Sequence, residues 1–460
     1  MIQNDTICAL STPAGSGAIG VIRLSGEKSI HLVEEIFVGK KLSSQQTQSL
    51  HFGKIMDGKE VIDEVMLSLF KAPKSYTGEN VVEISCHGSS YILTQVIQLL
   101  LEKGARLANP GEFTQRAFLN GKMDLAQAEA VADLIASESK AAHDIALNQM
   151  RGGFSKKIQE LRNELIQFTS LIELELDFGE EDVEFADRDD LKALVDKLLQ
   201  MIHQLVASFS TGNVMKNGIP VAIVGQPNVG KSTLLNALLN EEKAIVSEIA
   251  GTTRDSIEDT VNIGGLTFRF IDTAGIRETE DVIESIGIKR TFQMVEKAAL
   301  ILYLVDAVND TKEEIEKSID LIRSKFKAGD KQLIVLANKI DQGELSQLKT
   351  KFSDKEEVLY ISALQQKGLD VLSSRLEIIA KQKMKSGNDV IVSNARHHQA
   401  LKTAGEALQR VRDGLEQNIT GDFLAMDIRQ ALHYLGEITG TIEIDRDILG
   451  NIFSKFCIGK

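Results

Sequence analysis

Apolar residues recur every three or four positions through Phe154, Ile158, Leu161, Leu165, Phe168 and Ile172, and the same period runs over residues 191–205. That spacing lines one face of an amphipathic helix. Proline breaks helix interiors, and the chain's five prolines (Pro13, Pro73, Pro110, Pro220 and Pro227) all fall outside residues 111–219, so long helices are expected across residues 120–215. Residues 385–456, with Leu401, Ala404, Leu408 and Val411 on the same period, read as helical too. Before Pro110 the pattern is mixed. Short β-rich runs at 18–24, 61–70 and 81–86 alternate with helical runs at 27–37 and 90–103, and Asp57-Gly58 signals a hairpin. Between residues 217 and 380, short apolar strands at 221–224, 300–305 and 333–337 alternate with helices, which implies a largely parallel sheet.

These patterns predict a multidomain chain: an α+β domain over residues 1–118, an all-α helical domain in two parts (119–215 and 381–460), and an α/β domain at 216–380 inserted between those parts. A length of 460 residues with 43% apolar content suffices for three cores. Lys plus Arg number 52 against 66 Asp plus Glu, a net charge of −14. A field of that sign repels phosphate backbones, so nucleic-acid contact must be local or supplied by a partner. The three cysteines (Cys8, Cys86, Cys457) are far apart with no CxxC pair, which suggests neither a disulfide framework nor a zinc site and fits a reducing compartment. No apolar run approaches the roughly 18 residues of a membrane span, and the N-terminus lacks a signal-peptide pattern. A cytoplasmic protein without membrane attachment is expected.

Gly225-Gln226-Pro227-Asn228-Val229-Gly230-Lys231-Ser232 fits GxxxxGKS between an apolar strand and a helical run. Such a loop wraps phosphates with backbone N–H groups, its lysine pairs the β and γ phosphates, and its serine ligates Mg²⁺. Asp272-Thr273-Ala274-Gly275 follows a second strand and sets a carboxylate near the metal and a glycine amide near the γ-phosphate. Asn338-Lys339-Ile340-Asp341 and Ser362-Ala363-Leu364 follow two further strands. Asp341 can accept both N–H groups of a guanine edge, while Asn338 and Lys339 brace base and loop. Together and in this order, the four motifs resemble those of Ras-like GTPases, implying a P-loop G domain. Ile276 stands where Ras-type proteins carry a water-orienting glutamine, so another residue must hold the water, and Glu280, Asp281 and Glu284 are each candidates. Residues 242–255 supply the other switch, with Thr252 and Thr253 as hydroxyls for metal and γ-phosphate; Arg254 reads either as an arginine finger or as a surface residue.

Beyond the G domain, Asp5-Thr6-Ile7, the run Pro110-Gly111-Glu112-Phe113-Thr114, the run Arg116-Ala117-Phe118-Leu119-Asn120, residues 124–130 (DLAQAEA) and the terminal Phe456-Cys457-Ile458-Gly459-Lys460 resemble the MnmE (TrmE) family of GTPases, which modify wobble uridines in tRNA. The resemblance spans the whole chain and implies a homodimer held by the N-terminal domains, with G domains that meet when GTP and K⁺ are bound. It implies a GTP site formed by Asn228, Val229, Gly230, Lys231, Ser232 and Thr233, by Ser247, Glu248, Ile249, Ala250, Gly251, Thr252 and Thr253, by Asp272, Thr273, Ala274 and Gly275, and by Asn338, Lys339, Asp341, Ser362, Ala363 and Leu364. Mg²⁺ would sit on Ser232 and Thr253, and K⁺ on Asn228, Ser247, Ile249 and Thr252, oxygen donors that suit such ions. Glu284, Lys231 and Thr253 are the implied catalytic residues.

The N-terminal domain would be folate-binding-like, with Arg23, Glu83, Lys122 and Lys460 holding a tetrahydrofolate derivative in its 5,10-methylene or 5-formyl form. The implied partners are tRNA and the flavoprotein MnmG, in a heterotetramer or larger complex that adds an aminomethyl or carboxymethylaminomethyl group to carbon 5 of the uridine. The flavin is assigned to that partner, since this chain has no GxGxxG between a strand and a helix. A different class of function, a regulatory GTPase of ribosome assembly whose first 118 residues only mediate interaction, is equally compatible with the G domain taken alone.

Overall fold

The computed structural model describes residues 5–177, 188–243, 259–271, 292–326, 331–352, 357–384, 390–417, 419–442, 446–454 and 456–459. The chain forms two compact units, one of Met1–Ala136, Ala146–His203 and Gln399–Lys460, the other of Ser137–Ile145 and Gln204–His398.

In the first unit, strands β1 (Ile7–Leu10), β2 (Ile19–Ser25), β3 (Phe37–Val38), β4 (Ser49–Asp57), β5 (Glu60–Phe70), β6 (Val81–His87) and β7 (Arg106–Leu107) form one sheet in the order β3-β4-β5-β6-β2-β1-β7. Side chains alternate across it. Along β5, Val65, Leu67 and Leu69 are buried, while Glu64 and Met66 face solvent. The buried set packs with Ile22, Leu24, Ile84 and the helix Ser90–Glu102 through Val96 and Leu100.

The hairpin lies where Asp57-Gly58 announced it, with Gly58 and Lys59 in the turn: Asp57 pairs with Glu60, and Gly58 has φ 57°. The helix expected over residues 27–37 is a correction. It spans only Ser29–Glu34, and Phe37–Val38 pairs with Ile55 and Lys54 as an edge strand. The Phe37 ring occupies the space over Gly53, where any Cβ would lie 2.3 Å from it, and that seat exists only once the strands have paired.

The helical part follows the three-and-four period closely. Phe154, Ile158, Leu161, Leu165 and Phe168 of the helix Gly153–Asp177 are all buried. So are Leu401, Ala404, Leu408 and Val411 of the helix Ala395–Glu416. The helix Leu125–Ile135 starts at a capping box in which Asp124 and Gln127 satisfy each other's backbone N–H.

In the second unit, β8 (Ile219–Val224), β9 (Asp259–Ile263), β10 (Leu266–Phe270), β11 (Leu300–Asp306), β12 (Gln332–Asn338) and β13 (Val358–Tyr360) form a sheet in the order β13-β12-β11-β8-β10-β9. All neighbours are parallel except β9 and β10. Apolar side chains fill both faces: Val221, Ile223, Leu302 and Leu304 on one, Ala222, Val224, Ile301 and Val305 on the other. This explains the continuous apolar runs in the sequence. Ala141, in the segment Ser137–Ile145, is buried in this unit's core and donates its N–H to Gly265 O at 3.1 Å. The parallel order brings the C-terminal ends of β8, β11 and β12 to one edge, where α/β sheets bind ligands. Among the described residues, no helix is long and apolar enough to cross a membrane.

Candidate functional site

The loop between β8 and the helix Lys231–Lys243 is built for backbone curvature. A Cβ on Gly225 would stand 2.3 Å from Leu304 O, and one on Gly230 (φ 103°) would stand 2.5 Å from Asn338 Nδ2. Asn228 takes φ 61°, a left-handed conformation that asparagine tolerates better than most residues, and its side chain is exposed at the loop tip. Lys231 Nζ donates to Gly225 O (2.9 Å) and Gln226 O (2.7 Å), so the ammonium lies folded over the loop; burial lowers its pKa. Val229 is buried behind the loop, and Thr233 is exposed on the first turn of the helix.

One carboxamide ties this loop to the other two. Asn338 Nδ2 donates to Val229 O at 2.7 Å, and its Oδ1 accepts from Ala363 N at 2.9 Å. Asn338 is buried, as are Ser362 and Ala363, whereas Leu364 is 76% exposed. Ser362 Oγ accepts from Gln365 N and helps shape that turn. Asp341 lies in the short 3-10 helix Ile340–Gln342, and its carboxylate has no hydrogen-bond or ion-pair partner among the described residues. It is therefore available to a ligand. Lys339, at φ 67°, makes an ion pair with Asp306 at 2.7 Å.

Asp306, at the end of β11, belongs to no sequence motif, because a lone acid after an apolar strand looks solvated. It is 5% exposed. Burial would raise its pKa, but hydrogen bonds from Lys339, Asn309 and the backbone of Asn309 and Val308 overcome this and bring it to about 2. Glu284, Thr253, Ser247, Glu248, Ile249, Ala250, Gly251, Thr252, Asp272, Thr273, Ala274, Gly275 and Lys460 lie outside the described residues, as do Glu280, Asp281 and Arg254.

The first unit brings together two of its expected ligand residues. Arg23 and Glu83 face each other across β2 and β6 and form an ion pair at 2.8 Å, both partly exposed. The Arg23 guanidinium also lies 5.5 Å from the Tyr76 ring and 5.7 Å from that of Phe113, within cation–π range. Its Nη1 approaches Gly459 O at 3.5 Å, and Ser11 Oγ donates to the same carbonyl at 3.0 Å. Tyr76 and Ser11 carry no sequence signal, and Phe113 carries one only as part of the run Pro110-Gly111-Glu112-Phe113-Thr114, because only the folded sheet sets the three around Arg23. Lys122 is exposed and donates to Pro73 O at 3.0 Å, on the loop that leads to Tyr76.

Beneath this surface the buried Glu112 and Arg116 of the sequence motif form an ionic network with the partly exposed Asp5, Glu79 and Arg106. Arg116 reaches Asp5 Oδ1 at 2.6 Å, Glu112 Oε1 at 3.1 Å and Glu79 Oε2 at 3.2 Å. Arg106 reaches Asp5 Oδ2 and Glu112 Oε1, both at 2.6 Å. Burial would raise the pKa of Glu112 and Asp5, but the two arginines hold both below their ordinary values.

Comparison with known proteins agrees with this architecture. The family model described as MnmE helical domain matches residues 125–457, and the one described as GTP-binding protein TrmE N-terminus matches residues 6–122. The curated tRNA modification GTPase MnmE of Christiangramia forsetii is 56% identical over 477 aligned residues, covering 100% of both chains. Those of Flavobacterium psychrophilum (54% over 463) and Bacteroides thetaiotaomicron (55% over 470) likewise cover 100% of each chain. With a model match over more than half its length and end-to-end relatives above half identity, the chain belongs to the MnmE (TrmE) family of tRNA modification GTPases.

Proposed function

We propose that this protein is a K⁺-activated GTPase that works with the flavoprotein MnmG to add an aminomethyl or carboxymethylaminomethyl group to carbon 5 of the tRNA wobble uridine. The observation that carries the GTPase reading is the Asn338 carboxamide, which holds the phosphate loop and the Ser362-Ala363-Leu364 turn together at the C-terminal edge of the parallel sheet. End-to-end similarity to tRNA modification GTPases supports the tRNA substrate over a role in ribosome assembly.

Asn228, Val229, Gly230, Lys231, Ser232 and Thr233 wrap the phosphates, and Asp341 accepts the N–H groups of guanine. The Lys231 ammonium exchanges its loop carbonyls for the β and γ phosphates. Oxygen donors suit both ions assigned here, Mg²⁺ to Ser232 and Thr253 and K⁺ to Asn228, Ser247, Ile249 and Thr252, and the exposed Asn228 side chain is free to turn toward such an ion. A K⁺ held by these oxygens would offset the negative charge that develops on the phosphates during hydrolysis, a task that an arginine performs elsewhere. Glu284 positions the attacking water, directly or through a second water. Glu284→Ala should then lower kcat about a hundredfold while leaving GDP affinity within twofold, as measured by single-turnover hydrolysis and nucleotide titration.

The Arg23–Glu83 pair, bordered by Tyr76 and Phe113, offers a cation, a carboxylate and two rings, chemistry that fits the aminopyrimidine and carboxylate ends of a folate; Lys122 and Lys460 complete the set. The folate, in its methylene or formyl form, supplies the one-carbon unit. A homodimer through the first unit is supported by Leu50, Phe52 and Met66, which are 66%, 62% and 40% exposed on one face of the sheet. Leu50, Ser68, Glu83 and Arg23 lie in one cross-strand row, so this apolar face is continuous with the ligand pair. The compartment is the cytoplasm.

The deciding experiment is mass spectrometry of tRNA from a strain lacking this gene. Wobble uridines unmodified at carbon 5, restored by the intact gene, are expected. A full complement of the modification in the deletion strain would overturn the proposal.

A further inference from the structure

We infer that Asp306, with its turn held from the other side by Lys351, is a positioning residue that fixes Lys339 for guanine-nucleotide binding. The inference rests on the reading of Asn338, Lys339 and Asp341 as the guanine loop, and adds a layer behind that loop that no sequence motif marks.

Two charges organise the turn after β11. The Asp306 carboxylate gathers N–H groups: Oδ1 accepts from Val308 N (3.0 Å) and Asn309 N (3.1 Å), and Oδ2 from Asn309 Nδ2 (2.9 Å). Lys351 Nζ gathers the carbonyls, donating to Ala307 O (3.0 Å), Val308 O (2.8 Å) and Asp310 O (2.9 Å). Asp310 closes the turn by accepting from Asp306 N at 2.8 Å.

A turn so completely satisfied does not need Lys339 for its own stability. Yet Oδ2 also receives Lys339 Nζ at 2.7 Å, and Ala307 N donates to Asn338 O at 3.0 Å. The turn is thus stapled to the two residues that begin the guanine loop. Lys339 needs such support, because its φ of 67° is a strained conformation for a long side chain. A lysine stem held at its ammonium presents a fixed apolar edge to a base, whereas a free one must be ordered when the nucleotide binds. The Asp306 carboxyl stays ionised through the neutral range, so the anchor is permanent.

The test is a double-mutant cycle on the full-length protein, read by calorimetric titration of GDP and by steady-state hydrolysis. Asp306→Asn keeps the two backbone hydrogen bonds to Oδ1 and replaces the charged acceptor of Lys339 with an amide donor. It should weaken GDP binding about tenfold and raise KM for GTP by the same factor, with kcat falling less than twofold. Lys339→Met should weaken binding to a similar degree, and adding Asp306→Asn to it should cost less than a further twofold. Lys351→Met should weaken binding about threefold alone and have no effect beside Lys339→Met, and it decides the question if Asp306→Asn does not fold. Additive losses, or an unchanged affinity in Asp306→Asn when Lys339→Met binds poorly, would overturn the inference alone. An unchanged affinity in Lys339→Met would instead sink the guanine-loop reading, and this inference with it.

Discussion

Replacing sodium with potassium is expected to speed GTP hydrolysis by the purified protein about a thousandfold, the lower end of what a positive charge supplied beside the transferred phosphoryl group contributes in such enzymes. The chain has Ile276 where small GTPases place glutamine, and an aliphatic side chain can neither orient water nor spread charge. On the proposed reading, Glu284 positions the water and a cation held by oxygen atoms next to the phosphates supplies the charge. Of the residues proposed to hold it, Asn228 is the one among the described residues, and it lies on the exposed tip of the phosphate loop in a left-handed conformation. Asn228→Ala should leave the sodium rate and GDP affinity nearly unchanged and abolish the gain from potassium. Equal rates in the two salts, measured at one ionic strength, would contradict the assignment.

The second large effect concerns stability. Arg116→Met should lower the thermal midpoint of the first unit by about 10 °C or more, because removing one member of a buried ionic group costs about 3–5 kcal/mol. Arg116 is 5% exposed and pairs with Asp5, Glu79 and Glu112. Without it, Asp5 and Glu112 share Arg106, and Glu79 is left with the Ser25 hydroxyl and solvent. The loss depends on pH with a definite sign. Asp5 and Glu112 have pKa values below their ordinary 3.8 and 4.5, so the stabilisation is complete above about pH 4.5 and fades as acid protonates them. The midpoints of wild type and variant should therefore converge at low pH in a differential scanning series. A gap that stayed constant to pH 3 would point to lost packing instead of lost charge.

Where the fold was legible in the sequence, a local rule decided the structure. The helix Gly153–Asp177 follows from apolar spacing alone, and β8, β11 and β12 follow from short apolar runs between helices, whereas β9, a polar strand paired antiparallel with β10, matches no such run. What escaped notice depends on partners distant in sequence. Phe37 continues a helical apolar pattern, yet it pairs with Ile55 because the glycine at position 53 leaves room for its ring. Arg23 and Glu83 were each legible only through family resemblance; that they neutralise each other follows from the register of β2 and β6. Asp306 meets Lys339 through the pairing of β11 with β12, which no spacing rule reveals. Lys351 was invisible for the same reason, since its partners are backbone carbonyls on another turn.

The Asn338 carboxamide makes the phosphate loop and the Ser362-Ala363-Leu364 turn share a single hinge pin, with the nitrogen committed to one and the oxygen to the other. Aspartate, though nearly the same shape, would set an oxygen against the Val229 carbonyl, so even spontaneous deamidation at this position would pry the two loops apart. Neither loop can therefore drift alone: an engineer who redesigns base selectivity in this protein must rebuild the phosphate grip in the same step.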